Sequence, residues 1–282
     1  MTRLEDALNK LQTRRAIGGA GREGAVGTRE VPLQPGAHSY GGKLLTINFD
    51  HLRRLGLMPA ESEARSLAGQ YRTIKRPLLK NASSQSLQRG NLLLVTSALP
   101  GEGKTFTCLN LCLSLAREQD WSVVLVDGDS SKPHLSRLLG AEGAAGLMDL
   151  LRDSTREFDS IVMPTDVPNL SFLPAGTRHR DAVELLASSA METLCDSAAR
   201  SDPKRMIVFD SPPLLLTSEA PALAAQMSQI VVVVKANKTP QRALLMALAQ
   251  LDPTKAIGLL LNQAGKGTDE GKYSGHYYGY DN

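Results

Sequence analysis

Short apolar runs alternate with helix-period stretches over most of the chain. Apolar runs of strand length lie at residues 92–95, 121–126, 170–173, 206–209, 230–234 and 257–261, with a weaker one at 161–163. Helical patterns fill the intervals, at residues 103–117, 132–139, 181–187, 190–199, 219–226 and 240–251. Unbroken Val/Ile/Leu runs are typical of parallel strands covered on both faces. The pattern predicts an α/β fold with a doubly wound, mostly parallel sheet over residues 44–263.

The segment before this region has a different character. Within residues 1–16, a helical stripe of apolar side chains is formed by Leu4, Ala7, Leu8 and Leu11. Such a short amphipathic helix needs a surface to cover its stripe, either on its own domain or on a partner protein. Residues 17–43 are rich in Gly, Arg, Ser and Pro and predict a flexible linker. A short strand at 44–47 and a short helix at 50–55 follow.

A longer helical pattern covers residues 61–80 and is strongly basic. Its apolar side carries Leu67, Tyr71, Ile74 and Leu78. Its cations are Arg65, Arg72, Lys75 and Arg76, and Pro77 is expected to end or kink the helix. Two interpretations remain open, a solvated charged face around a packed stripe, or a subunit interface formed by Arg72, Lys75 and Arg76.

Composition narrows the class of protein. The 282 residues are 42% hydrophobic, enough for one large domain with appendages, and the net charge of +3 gives no reason to expect nucleic acid as a partner. Three cysteines suit a reducing cytosol, and Cys108 and Cys112 are expected on one buried helix face. No apolar run reaches about 20 residues, and the first residues lack a signal core. We therefore expect a cytoplasmic protein whose membrane association comes through a partner.

The segment NLLLVTSALPGEGKTFTC, residues 91–108, predicts a strand, a phosphate-binding loop and a helix. Small residues let backbone N–H groups converge on phosphates, and the helix N-terminus adds positive potential. Lys104 is expected at the β- and γ-phosphates and the Thr105 hydroxyl at Mg²⁺. The predicted nucleotide contacts are Pro100, Gly101, Glu102, Gly103, Lys104, Thr105 and Phe106.

Aspartates follow two of the predicted strands. VVLVDGD ends in Asp127 and Asp129, and MIVFDSPP carries Asp210. A carboxylate at the end of a buried strand is costly unless it meets a cation or hydrogen-bond donors. A Mg²⁺ ion shared with Thr105 and the nucleotide would supply that cation. With Lys104, these acids are the candidate catalytic residues, and Asp127 is closest to where an attacking hydroxyl would arrive.

Several motifs together resemble one family. They are YRTIKRPLL, VTSALPGEGKTFT, DSSKPHLSRLLG, LPAGTRH, ELLAS, FDSPPLLLTSEA, GLLLNQA and a tyrosine-bearing end. The set is similar to the bacterial tyrosine kinases known as BY-kinases, P-loop proteins related to ParA/MinD-type ATPases. The resemblance covers nearly the whole chain and is closest to the autokinases of exosortase-linked exopolysaccharide loci.

This resemblance implies an ATP- and Mg²⁺-dependent kinase that phosphorylates tail tyrosines in trans within a ring-shaped oligomer. It also implies a membrane polysaccharide co-polymerase as partner at the inner face of the membrane. By position, Thr105, Asp129 and Asp210 are the metal residues, and Asn262 lies near the adenine. Which of Asp127 and Asp129 acts as base and which holds metal stays open. Leu99 stands where ParA/MinD-type ATPases carry a signature lysine.

Two positions depart from the family pattern. Ser131, followed by Lys132, stands where an arginine is usual, so a cation near the phosphates is either lost or replaced by Lys132. Gly69 stands where the oligomerisation helix usually has a glutamate. The absence of this glutamate would remove a salt bridge between subunits.

The last stretch, residues 264–282, is predicted to be a flexible tail because it is Gly-spaced and weakly apolar. Four of the six tyrosines lie in it, and they are the predicted phosphoacceptors, Tyr273, Tyr277, Tyr278 and Tyr280. Two alternatives to a kinase remain open. One is a ParA/MinD-like ATPase switch without a protein acceptor, and the other is a catalytically weak, nucleotide-gated scaffold.

Overall fold

The computed structural model describes residues 40–264. The predicted helix at 1–16, most of the predicted linker and all four tail tyrosines lie outside the described residues. Within residues 40–264, no helix is both long enough and apolar enough to cross a bilayer.

A seven-stranded sheet forms the centre of the described region, in the order β3-β4-β2-β5-β1-β6-β7. The strands are β1 (Leu92–Ser97), β2 (Ser122–Asp127), β3 (Met163–Pro164), β4 (Leu170–Leu173), β5 (Arg205–Asp210), β6 (Gln229–Lys235) and β7 (Ala256–Asn262). Every neighbouring pair is parallel except β3 with β4. The predicted doubly wound, mostly parallel sheet is confirmed.

Ten helices of the described region cover this sheet. They are α1 (Phe49–Arg54), α2 (Glu61–Ala82), α3 (Lys104–Leu115), α4 (His134–Leu138), α5 (Leu147–Arg152), α6 (Phe158–Ile161), α7 (Ala182–Leu186), α8 (Ser189–Ser201), α9 (Glu219–Gln226) and α10 (Gln241–Leu248).

The core lies in two layers, one on each face of the sheet. Successive strand residues alternate between them, so that Leu92 and Leu94 pack in the layer of helices α5 to α10, whereas Leu93 and Val95 pack in the layer of α1 to α4. Because both faces are covered, the central strands β1 and β5 are buried along their whole length. This explains why these strands read as apolar runs rather than as alternating patterns.

Helix α3 buries both cysteines that were expected on one face, and neither is exposed. Cys108 and Cys112 are free thiols packed with Leu109 and Leu111 in one layer of the core.

Several local predictions are wrong. Residues 161–163 do not form one strand, because Ile161 ends α6 and only Met163 and Pro164 pair with β4. The predicted strand at 44–47 is a single bridge between Leu45 and Thr165. Pro77 does not end α2, which continues to Ala82. Of the two outcomes expected at this residue, a kink stays a prediction.

The beginning of the described region is held against the domain and does not behave as the predicted linker. Gly41 N–H donates to Asp159 O at 3.0 Å and Gly42 N–H to Val162 O at 3.1 Å. The Tyr40 ring packs against one layer of the core. These contacts move the start of the folded domain a few residues before the predicted position 44.

Candidate active site

The loop between β1 and α3 has the predicted form of a phosphate-binding loop. Gly103, at the N-cap of α3, has φ +95°, and a Cβ built on it would lie 2.0 Å from Asn262 Nδ2. Asn262, at the end of β7, donates from that nitrogen to Glu102 O at 2.9 Å. Glycine is therefore required at position 103, and Asn262 is placed directly against the loop.

Glu102 braces this loop from within. Its side chain is buried, one carboxylate oxygen accepts from Leu99 N–H at 2.8 Å, and the other accepts from the Thr239 hydroxyl. Because both carboxylate oxygens already accept hydrogen bonds within the protein, Glu102 can contact a ligand through its backbone but not through its carboxylate. Sequence reasoning predicted Glu102 as a nucleotide contact but did not foresee this bracing role.

Thr105 and Asp210 meet at the beginning of α3. The Thr105 hydroxyl donates to Asp210 Oδ2 at 2.7 Å, while Asp210 Oδ1 is buried and has no hydrogen-bond partner among residues 40–264. Burial raises the pKa of Asp210 to about 7, with the charges of Asp127 and Asp129 acting in the same direction. A buried carboxylate oxygen without a donor is the feature that a cation would satisfy.

Lys104 occupies the first turn of α3 beside these acids. Burial lowers the pKa of its ammonium group, and the charges of Asp210, Glu102 and Asp129 oppose that shift. Phe106 follows, half-buried, and its carbonyl accepts from Asn110 Nδ2 at 2.7 Å. The predicted loop residues thus form one continuous turn into the helix.

Asp127 lies in register with Asp210 on the adjacent strand. It is 1% exposed; Oδ2 accepts from both Ser136 N–H and the Ser136 hydroxyl at 2.7 Å, and Oδ1 accepts from Asp129 N–H at 3.3 Å. Burial raises the pKa of Asp127, and the Ser136 hydrogen bonds oppose it. Asp127 is therefore a buried, well-anchored carboxylate.

The close approach of the two strand ends depends on Gly128. Its N–H donates to Asp210 O at 2.8 Å, and a Cβ there would lie 2.8 Å from the same oxygen. Asp129 comes next and is half-buried, and its Oδ1 accepts from Lys132 N–H at 2.8 Å and the Ser131 hydroxyl at 3.0 Å. The three acids predicted from the strand ends are brought together at one edge of the sheet.

The donor set fits a Mg²⁺ ion that is also held by a nucleotide. Among residues 40–264, no group of three or more His, Cys, Asp or Glu side chains forms a metal cluster. The Thr105 hydroxyl and Asp210 Oδ1 are instead two oxygen donors side by side. Mg²⁺ typically takes one or two protein oxygens and completes its shell with phosphates and water.

Arg178 is a site residue that was not predicted from the sequence. The loop after β4 carries it to the loop after β2, where its guanidinium donates to Ser131 O. Ser131, which stands where the family usually has an arginine, thus lies beside the guanidinium of Arg178. The basic run Arg178-His179-Arg180 is evident in the sequence, but no local pattern indicates which loop it contacts.

The predicted interface residues divide into two groups. Arg72 and Arg76 are exposed on α2, as an interface role requires. Lys75 is 6% exposed, and its Nζ donates to Ser114 O at 2.6 Å and pairs with Glu118 at 2.7 Å. The expectation that Lys75 faces a neighbouring subunit is corrected, because its charge is used inside the domain.

Comparison with known proteins agrees with this geometry. The family model for the CobQ/CobB/MinD/ParA nucleotide binding domain matches residues 93–274. Tyrosine-protein kinase YwqD of Bacillus subtilis is 32% identical over 229 residues, covering 79% of this chain and 92% of YwqD. Tyrosine-protein kinase wzc of Salmonella typhimurium is 27% identical over 177 residues, covering 62% of this chain and 24% of wzc, so the chain spans about a quarter of that longer relative.

A solved structure carries the same fold. The kinase domain of VpsO aligns with a TM-score of 0.59 and 27% identity, and the alignment covers 73% of this chain and 100% of that one. The family-model match over residues 93–274 contains the phosphate loop, the strand-end acids and strands β2 to β7.

Proposed function

The chain belongs to the CobQ/CobB/MinD/ParA nucleotide-binding family and, within it, to the bacterial tyrosine-protein kinases, and we propose that it transfers the γ-phosphoryl group of ATP to tyrosines of its own carboxy-terminal tail. The observation that carries this proposal is the pairing of Thr105 with Asp210 beside the buried Asp127. It supplies a cation site and a candidate base at the edge of the sheet where the phosphate loop opens.

Each residue has a distinct task in this mechanism. Backbone N–H groups of the loop and the Lys104 ammonium hold the phosphates. Thr105 and Asp210 would hold Mg²⁺, which supplies charge neutralisation at the phosphates when bound. A carboxylate at the end of β2, Asp127 or Asp129, accepts the proton of the tyrosine hydroxyl. The tyrosine oxygen forms its bond to the γ-phosphorus as the bond to the β,γ-bridging oxygen breaks, and ADP leaves.

The proposed acceptors are Tyr273, Tyr277, Tyr278 and Tyr280. The tail that carries them follows β7, whose carboxyl end lies at the same edge of the sheet as the loop. We propose transfer in trans, between copies of a ring-like oligomer in which Arg72 and Arg76 contribute to the interface. Their exposure on α2 supports this role.

The motifs quoted above for exopolysaccharide autokinases support a further part of the proposal. The protein would act in the cytoplasm, recruited to the inner face of the membrane by a polysaccharide co-polymerase, and would regulate exopolysaccharide synthesis or export. The small net charge is consistent with a protein partner rather than nucleic acid.

A ParA/MinD-like ATPase switch is the second candidate, since the fold is shared with that group. Position 99 argues against it, because Leu99 stands where those ATPases carry a signature lysine. The Leu99 side chain packs against one layer of the core instead of offering a charge.

Incubation of purified protein with labelled ATP and Mg²⁺, followed by phosphosite mapping by mass spectrometry, tests the proposal. We expect label on residues 273–280 and its loss in Lys104→Met. Hydrolysis with unlabelled tyrosines would support the ATPase, and nucleotide binding without either reaction would support a scaffold. Mixing a tail-truncated protein with a Lys104→Met protein separates transfer in trans, which labels the second, from transfer in cis, which labels neither.

A further inference from the structure

Exposed cations lie beside the strand-end acids, on the side away from the phosphate loop. Arg178 and Arg180 are on the loop after β4, and Lys132 is on the loop after β2. Because β4 is the neighbour of β2 on the side opposite β5, these cations flank Asp127 and Asp129 rather than the nucleotide loop. We call Lys132, Arg178 and Arg180 the cationic rim.

The loop after β4 is joined by hydrogen bonds to Asp127, one of the two candidate bases. Ala175 N–H donates to the Ser136 hydroxyl oxygen at 3.1 Å, and that hydroxyl donates to Asp127 Oδ2 at 2.7 Å. A second tie joins Thr177 N–H to Asp149 Oδ2 at 3.0 Å, and the same oxygen accepts from Gly146 N–H at 2.9 Å. The loop that carries Arg178 and Arg180 is therefore held in a fixed position relative to Asp127.

The rim keeps hydrogen-bonding capacity for a ligand. Arg178 uses a donor on Ser131 O, but a guanidinium has five N–H donors. The Arg180 side chain is 91% exposed, and its contact with Asp181 is long, at 3.6 Å. Asp181 is itself half exposed, so this ion pair holds Arg180 only weakly.

The tail has carboxylates on either side of its tyrosines. Asp269 and Glu270 precede Tyr273, and Asp281 follows Tyr280. Arginine binds carboxylates through paired N–H donors, and complementary charge favours encounter and register. The cations of the rim and these three carboxylates are thus complementary in charge, and the rim lies next to the end of β2.

We propose that the cationic rim binds the carboxylates flanking the tyrosines in the tail of a second copy and so delivers the tyrosine hydroxyl to the end of β2. This inference rests on the proposed kinase function and assigns acceptor recognition to Lys132, Arg178 and Arg180. These residues are positioning residues, which act on acceptor affinity rather than on the transfer step.

Peptide kinetics test this assignment. The acceptors are a synthetic peptide of residues 266–282, a neutral form with Asp269→Asn, Glu270→Gln and Asp281→Asn, and a reversed form with lysine at the same three positions. The enzymes are the unaltered chain, the double variant Arg178→Glu/Arg180→Glu, and Arg200→Glu as control. Arg200 is 76% exposed near the end of α8, which leads into the beginning of β5 at the opposite edge of the sheet.

For the double variant we expect the KM for the natural peptide to rise about tenfold, as loss of charge-assisted hydrogen bonds implies, with the KM for ATP unchanged. The neutral peptide should show a similar rise with the unaltered enzyme. The reversed peptide should be the better acceptor for the double variant, because the charge pairs are then restored in the opposite sense. Added salt should raise the KM for the natural peptide more than the KM for ATP.

Equal peptide KM values for the unaltered enzyme and the double variant would overturn the inference while leaving the kinase function standing. So would an equal effect of Arg200→Glu, or a loss of kcat without a change in peptide KM. Absence of tyrosine phosphorylation on every peptide would contradict the proposed function itself. If the double variant has a lowered melting temperature, Arg178→Ala/Arg180→Ala, which adds no acids, is measured in its place.

Discussion

The Thr105 hydroxyl and one carboxylate oxygen of Asp210 are joined by a 2.7 Å hydrogen bond, which leaves the second Asp210 oxygen buried without a partner. Thr105 lies in the first turn of the helix after the phosphate loop, and Asp210 ends a strand that is adjacent to β1 in the sheet. The fold thus brings together two oxygen donors that are 105 residues apart in sequence. We propose that this pair favours a cation-bound nucleotide over an anion alone.

Replacement of Asp210 by asparagine should remove most of the Mg²⁺ dependence of nucleotide binding. The amide keeps the shape and an acceptor for Thr105 but lacks the negative charge that a hard cation requires. We expect tyrosine phosphorylation to fall by about 100-fold or more, the scale on which loss of transition-state charge stabilisation acts. Titration calorimetry with ATP in Mg²⁺ and in EDTA is the measurement. Asp50→Asn, at a side chain that is 82% exposed, is the control and should leave both values unchanged.

Stability of the nucleotide-free protein should fall as pH rises from 5 to 8. Asp210 has a pKa of about 7 in the fold against 3.8 as its ordinary value, so the folded state holds a proton that the unfolded chain releases. Its contribution is fully present below about pH 4 and is lost as pH rises through 7, by at most about 4 kcal/mol. In Asp210→Asn, denaturant titrations across this range should give a flatter dependence. An unchanged slope in that variant would show that Asp210 is ionised throughout.

Truncation of Glu102 should loosen the phosphate loop. Glu102→Ala leaves Leu99 N–H and the Thr239 hydroxyl without their acceptor, and a buried unsatisfied group costs about 1–3 kcal/mol. We expect a lower melting temperature and an ATP Kd raised about tenfold, measured by displacement of a fluorescent nucleotide. Thr239→Val should show a smaller effect in the same direction. Glu142→Ala, at an exposed glutamate, should show none.

Removal of residues 273–282 should abolish autophosphorylation and leave nucleotide binding intact. The deletion takes away the proposed acceptors but none of the residues that form the loop or the strand-end acids. Phosphotyrosine detection and ATP titration on the same preparation are the measurements. Replacement of all four tyrosines by phenylalanine is the matched control and should reproduce the result. A large loss of ATP affinity on truncation would mean that the tail is part of the nucleotide site.

Arg72→Ala should weaken self-association if α2 is an interface. Arg72 is exposed, so its loss should not alter the fold, and light scattering over a concentration series measures the change. Lys80→Ala, also exposed near the end of α2, is the comparison. Lys75→Ala has a different expected outcome, a lower melting temperature, because the buried Lys75 ammonium donates to Ser114 O and pairs with the exposed Glu118. Unchanged mass for Arg72→Ala at every concentration would exclude an interface role for this residue.

The sheet and the strand-end acids could be predicted because their signals are local. Asp127 and Asp210 directly follow unbroken apolar runs, and parallel strands place their carboxyl ends at one edge. Lys104 and Thr105 likewise follow a glycine-bearing turn between a strand and a helix. In each case a few consecutive residues determine both the element and the chemistry.

The contacts that were not predicted from the sequence join distant parts of the chain. The partner of Glu102 at Thr239 lies 137 residues away, and Arg178 meets Ser131 across 47 residues, so no local pattern reports either contact. Lys75 could have been placed correctly. It lies four residues after Tyr71 and three before Leu78, on the same buried helix stripe, and that spacing outweighs the basic character of its neighbours.

The Glu102 brace also bears on how fast the nucleotide exchanges. Because Leu99 and Thr239 hold the carboxylate from inside the protein, the shape of the loop is fixed by the protein's own contacts. A loop that is already ordered loses little conformational entropy when a ligand binds. Binding should then follow a single kinetic phase set by diffusion and charge. The lifetime of the complex would be set by the phosphate and cation contacts that must break, and not by refolding of the loop.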